Sequence, residues 1–172
     1  AKDAGLRFIS ANIIDKATGE PIFEPHAVVE AEAEASGGGR KLRVGVIGVV
    51  RFNPIFQQPG PGDSLMAIAH PRERIETELA ALMKKNVDIV VLLAALHHDD
   101  AQRIAGDVEG IDVVVGSYGG FYTTRSEQVG SAWLLYAGNQ GKRVGETRLF
   151  LSREGAVVDQ RTTLHLLTSR YP

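Results

Sequence analysis

Three short runs of apolar, largely β-branched residues constrain this chain more than any other feature. Residues 42–50 (LRVGVIGVV), 88–93 (DIVVLL) and 111–115 (IDVVV) carry almost no polar alternation. A strand with one wet face alternates apolar and polar residues, so continuous runs predict strands covered on both faces. Between the first two runs, Ile75, Leu79, Leu82 and Met83 recur at helical spacing. They form the stripe of a helix that opens at Pro71, a residue suited to a first turn, and runs to about Lys85. A shorter helix is predicted over 99–108, before the third run. Strand, helix and strand in that order are the parts of a right-handed crossover in a parallel sheet. The predicted class is therefore α/β, layered sheet and helix, with buried parallel strands.

The remaining segments read around that frame. Residues 6–14 are a first strand candidate, ended by Asp15-Lys16 and a Thr18-Gly19 turn. Residues 27–34 alternate apolar and acidic positions, as an edge strand does, and the Ser36-Gly37-Gly38-Gly39 run breaks it. Residues 53–63 hold Pro54, Pro59, Gly60, Pro61 and Gly62, a density that predicts a long surface loop. Residues 131–137, 144–152 and 156–167 read as an antiparallel C-terminal hairpin set, with 152–155 as a turn.

Length and composition then exclude whole classes. A chain of 172 residues predicts a single domain over 1–172, able to bury a core without staples. With 19 Lys and Arg against 21 Asp and Glu the charges nearly cancel, so no nucleic-acid partner is expected. The longest apolar stretch, residues 89–96, falls far short of the ~20 residues of a bilayer span. The absence of cysteine removes disulfides, thiolate metal sites and cysteine nucleophiles. Residues 1–9 read directly as folded sequence rather than as a signal peptide, and a first residue other than Met points to a processed or cut chain.

Two constellations carry candidate chemistry. His97, His98, Asp99 and Asp100 follow the second buried run, at the carboxyl end of a strand, where open α/β sheets gather ligands. Imidazoles and carboxylates are metal donors, but neighbouring residues on a strand end diverge. Asp99 or Asp100 is also explained as the N-cap of the next helix. Gly116, Ser117, Tyr118, Gly119 and Gly120 follow the third run, and such a loop can turn its N–H groups into a nest for phosphate or another anion. Neither this loop nor Gly141-Lys142-Arg143 completes a phosphate-loop pattern, and Gly45-Val46-Ile47-Gly48 lacks the dinucleotide fingerprint. His26, His70 and His165 stand alone in sequence and read as surface or satisfied residues. No serine sits in a Gly-x-Ser-x-Gly elbow.

The ordered segments together resemble a known family. Phe8-Ile9-Ser10-Ala11-Asn12-Ile13 followed by Thr18-Gly19-Glu20-Pro21-Ile22-Phe23 is similar to the opening of this half-domain in bacterial 5′-nucleotidases, members of the calcineurin-like metallophosphoesterases. The likeness continues through residues 42–48, 86–93 and 110–116 and closes at Ala137-Gly138 and Gly141-Lys142-Arg143-Val144-Gly145. The resemblance implies the C-terminal half of a metallophosphoesterase domain and an exported, periplasmic location. It implies a two-metal phosphoesterase centre whose N-terminal ligand motifs do not occur in this chain. Ala95 stands where the family has its first C-terminal ligand histidine, and Tyr118 and Gly120 where it has the next two. Methyl, phenol and hydrogen are no substitute for imidazole, so the expectation is a non-catalytic binding or scaffold module without metal cofactors. A divergent phosphoesterase that uses His97, His98, Asp99 and Asp100 is the enzymatic alternative. A structural alternative follows from the missing half: self-association, or a partner chain, covers the apolar surface that half would occupy.

Overall fold

A computed structural model describes residues 7–34, 39–52, 65–117, 126–138 and 140–167. Among the described residues, ten strands and two helices follow in chain order: β1 (Ile13–Asp15), β2 (His26–Ala33), β3 (Arg40–Val50), β4 (Met66–Ile68), α1 (Pro71–Met83), β5 (Ile89–Ala95), α2 (His98–Asp107), β6 (Val113–Gly116), β7 (Glu127–Val129), β8 (Ala132–Tyr136), β9 (Arg143–Leu151) and β10 (Val157–Leu166). The main sheet has six strands in the order β2-β3-β5-β6-β8-β7. Its four inner strands run parallel, and β2 and β7 close the two edges antiparallel. All three apolar runs thus become neighbouring parallel strands.

One face of this sheet is filled by the helices. Ile47, Val49, Val90, Leu92, Ala94, Val114 and Leu134 meet Ile75, Leu79 and Leu82 of α1 and Ala101, Ile104 and Ala105 of α2 in one core. Gly45 makes room for α1: a Cβ there would lie 2.7 Å from Leu82 Cδ1. Met83, expected in the α1 stripe, is 74% exposed. At about 100° per residue it sits roughly 80° around the helix from Ile75 and misses the sheet. Glu78, without any apolar signal, is buried in its place. His26 Nδ1 lies 2.5 Å from its carboxylate, and Lys85 Nζ lies 2.6 Å from His26 Nε2. Lysine only donates, so Nε2 accepts and Nδ1 carries the proton toward Glu78.

The parallel register is pinned by two aspartates used in the same way. Asp88, just before β5, accepts the Arg43 N–H of β3 at 2.8 Å. Asp112, just before β6, accepts the Val90 N–H of β5 at 2.8 Å. Burial pushes the Asp112 carboxyl above the usual carboxylate range, against the opposing pull of that N–H.

Several expectations are corrected by long-range pairing. The first strand shrinks to β1, which pairs with β4, while Phe8 is 55% exposed. Residues 9–12 cross the end of β3 instead, with Ile9 packed so closely on Gly48 that a Cβ there would lie 2.5 Å from the Ile9 carbonyl oxygen. The C-terminal set divides: β8 joins the main sheet parallel to β6, and only β9 and β10 pair as a separate hairpin. Ser152 and Ala156 close its turn, with Gly155 at φ +100°. The loop expected over 53–63 lies outside the described residues.

The second face of the sheet is also apolar but is half covered. A cavity of about 280 Å³ separates Val91, Val113 and Leu135 from Thr147, Leu149 and Leu164 of the β9–β10 hairpin. Leu93 and Val115, register partners on the central strands β5 and β6, are 40% and 38% exposed. Complete burial of the 88–93 and 111–115 runs is therefore not met on this side.

Asn12, wholly buried, ties the N-terminal segment to this frame. Its amide donates to the carbonyls of Val50 at 2.7 Å and Ala69 at 3.1 Å, and its Oδ1 accepts the Val50 N–H at 2.9 Å. Asn12→Ala should lower the urea-derived unfolding free energy by roughly 2–4 kcal/mol, because several buried partners lose their bonds at once. A loss below about 0.5 kcal/mol would contradict this anchoring role.

Candidate functional site

The carboxyl ends of β3, β5 and β6 form the edge at which both sequence constellations were expected. At the end of β5 stands Ala95, paired in register with Val50 of β3, and its carbonyl accepts the Arg51 N–H at 2.9 Å. Its side chain offers no lone pair to a ligand.

The four residues of the His-His-Asp-Asp run separate from one another. His97 occupies the N-cap position of α2 in extended geometry, and its imidazole meets the Arg51 guanidinium at the end of β3. His98 begins the helix and turns elsewhere: Nδ1 lies 3.2 Å from the Tyr136 hydroxyl and Nε2 lies 3.4 Å from Glu127 Oε2. Asp99 and Asp100 stand in the first turn, where the positive end of the helix dipole favours acids. The N-cap expectation for either aspartate is thus corrected, because α2 begins one residue earlier than predicted. Asp100 instead pairs with Arg103 at 2.9 Å. Among the described residues, no three His, Asp or Glu side chains converge as ligands for a metal ion. The described donor set at this edge therefore does not fit a two-metal centre.

The glycine-containing loop is seen only at its start. Gly116 is the last residue of β6, and the Ser117 N–H donates to the Ala94 carbonyl at 3.1 Å. That N–H is used by the sheet and not turned toward an anion. Tyr118, Gly119 and Gly120 lie outside the described residues. Gly116 has a packing reason of its own: a Cβ would fall 2.0 Å from Tyr136 Cε1. The phenol lies over the bare backbone and reaches His98.

Sequence reading missed the network that results. Tyr136 (β8), His98 and Gln102 (α2) and Glu127 (β7) meet across three elements, with the Gln102 amide donating to the second carboxylate oxygen of Glu127. No local pattern marks Gln102 or Glu127, since they are 25 residues apart in sequence. Burial, with the Glu127 charge adding to it, raises the Tyr136 pKa above its ordinary value. The lone histidines are engaged: His26 as above, His70 beside Phe52 with ring centroids 5.9 Å apart, and His165 with Glu146 at 3.0 Å.

No protein-family profile matches the chain. Apyrase from Aedes aegypti is 26% identical over 140 residues, a match that spans 68% of this chain and 24% of the mosquito protein. Among solved structures, the calcineurin-like phosphoesterase YfkN of Bacillus subtilis superposes with a TM-score of 0.77 at 16% identity, over 94% of this chain and 56% of that one. The 5′-nucleotidase precursor of Thermus thermophilus gives 0.73 at 22% identity, over 99% and 35%. Thermus thermophilus sulfate thiohydrolase SoxB gives 0.75 at 20%, over 93% and 28%. The mixed α/β architecture is that of these metallophosphoesterase-like proteins, and the chain spans between about a quarter and just over half of their length.

Tyr136 supplies a pH test of the network. A raised phenol pKa means stability that is present in full below the ordinary value near 10 and is lost as pH climbs through the raised one. Wild-type stability should therefore fall on going from pH 9 to 11.5 more than that of Tyr136→Phe, as followed by urea denaturation. Gly116→Ala should cost about 1–3 kcal/mol by displacing the ring.

Proposed function

We propose that this chain is a half-domain of metallophosphoesterase-like fold that serves as a binding or scaffold module rather than as a hydrolase. Its open sheet face is covered by a complementary protein layer, supplied by a second copy or by another polypeptide. The carrying observation is the exposure of Leu93 and Val115 on central parallel strands. Parallel strands are as a rule buried on both sides, so an uncovered pair at the middle of such a sheet marks a place for another layer. The lone β9–β10 hairpin supports the same reading, because two strands by themselves are marginal in water and offer edges for pairing. The matched structures are about 1.7 to 3.3 times as long as this chain and have chain to spare for such a layer.

The non-catalytic part of the proposal rests on donor chemistry. Ala95 occupies the position at which the resemblance places a ligand histidine, and His97 and His98 are directed to different partners. Hydrolysis in this fold depends on a metal pair that activates water and clamps phosphate. The described residues do not supply the set that would hold it. An exported location is proposed on the likeness to a nucleotidase precursor; among the described residues no helix is long and apolar enough to cross a membrane.

Two measurements test the reading. Purified chain should carry far less than one tightly held transition-metal ion per polypeptide and should not hydrolyse nitrophenyl phosphate or AMP. Two bound ions, or hydrolysis lost on chelation and in His97→Ala, would overturn the non-catalytic assignment. Sedimentation should show concentration-dependent association of the isolated chain, weakened at least tenfold by Leu93→Lys with Val115→Lys. Both sites are partly exposed, so the pair should cost little in monomer stability, about 1 kcal/mol.

A further inference from the structure

On the helix side of the sheet, away from the open face, a cleft of about 240 Å³ lies between the start of α1 and α2. Its floor is apolar, made by Pro71, Leu96 and Ile104, all buried. Three guanidinium groups reach it from three different elements: Arg51 from the end of β3, Arg72 from α1 and Arg103 from α2. Phe52 and His70 stand at the same cleft with their rings tilted by 46°. Two acids also line it, Asp100 paired to Arg103 and Asp107 paired to Arg72 across the two helices at 3.1 Å, and Arg72 holds a second carboxylate, Glu76, at 3.0 Å.

We propose that this cleft binds a small organic anion with a planar apolar body, such as an aryl carboxylate or aryl phosphate monoester. Three arginines line the cleft against two aspartates, and with Glu76, which also holds Arg72, the carboxylates paired to them equal them in number. Their ion pairs are of the exposed kind, with the Arg103 side chain 70% and the Arg72 side chain 45% accessible. Such pairs are weak and screened, so an incoming anion competes with Asp100, Asp107 and Glu76 at small cost. A guanidinium fork matches a carboxylate or phosphate with two parallel hydrogen bonds, and it does so while keeping another neighbour. Arg51 keeps its imidazole partner His97 in this arrangement. The floor and the two rings then receive the body of the ligand, which bare inorganic anions lack.

The test is an amide chemical-shift titration of the full chain with benzoate, phenyl phosphate and inorganic phosphate. Saturable shifts are expected at residues 51, 52, 70, 72 and 96–104, with at least one aryl probe binding tenfold or more tightly than inorganic phosphate. The tighter of the two aryl probes identifies the head group. Arg103→Ala should weaken the aryl probe at least fivefold. Arg51→Lys, which keeps charge but loses the fork, should weaken it comparably. Arg148→Ala, on the separate hairpin, should leave it unchanged. Shifts that do not saturate, an inorganic phosphate that binds as tightly as the aryl probes, or affinity indifferent to Arg103→Ala would each overturn the proposal.

Discussion

A parallel ladder has to be covered on both faces, and everything else in this molecule follows from how that requirement is and is not met. Four parallel strands place Ile47, Leu92, Val114 and Leu134 against two helices on one side, where the core closes around them. On the other side the same strands present valine and leucine, but the hairpin that faces them leaves Leu93 and Val115 in contact with solvent. The sequence of the inner strands is that of a sheet buried twice over. The half-open face is the observation on which the proposed role as an assembling module rests.

The strand ends are held by polar groups rather than by packing. Asp88 and Asp112 each bond an N–H of the preceding parallel strand, which fixes register at the entrance of β5 and β6. Asn12 does the same at the exit of β3 and holds the approach to α1 with a second bond. These bonds hold the entrances of β5 and β6 and the exit of β3. Beyond β5, His97 and His98, adjacent in sequence, meet different neighbours and not one shared ion.

The candidate site was legible in part. Its location at the carboxyl end of the parallel strands followed from the order of the apolar runs, and the divergence of the two histidines followed from their adjacency. The Tyr136–His98–Glu127 network was not legible, because its members come from β8, α2 and β7 and carry no common spacing. Gly116 was read as part of an anion nest, yet its lack of a side chain is what lets the Tyr136 ring lie against the backbone. A glycine at a strand end is open to both descriptions in sequence, and the ring that lies against it comes twenty residues downstream.

Local patterning alone determined the class, the parallel core strands and the stripe of α1, because those depend on periodicity within a few residues. It also determined that Ala95 brings no donor to the end of β5, since composition at one position needs no geometry. Tertiary structure decided the rest. Residues 9–12 lie across Gly48 with an isolated bridge from Ile9 to Glu24 in place of a strand, Glu78 was buried because His26 arrived from another strand, and β8 ran parallel beside β6 instead of joining the last hairpin. Each of these outcomes turns on a partner distant in sequence, and the energy of such a pairing is written in neither segment by itself.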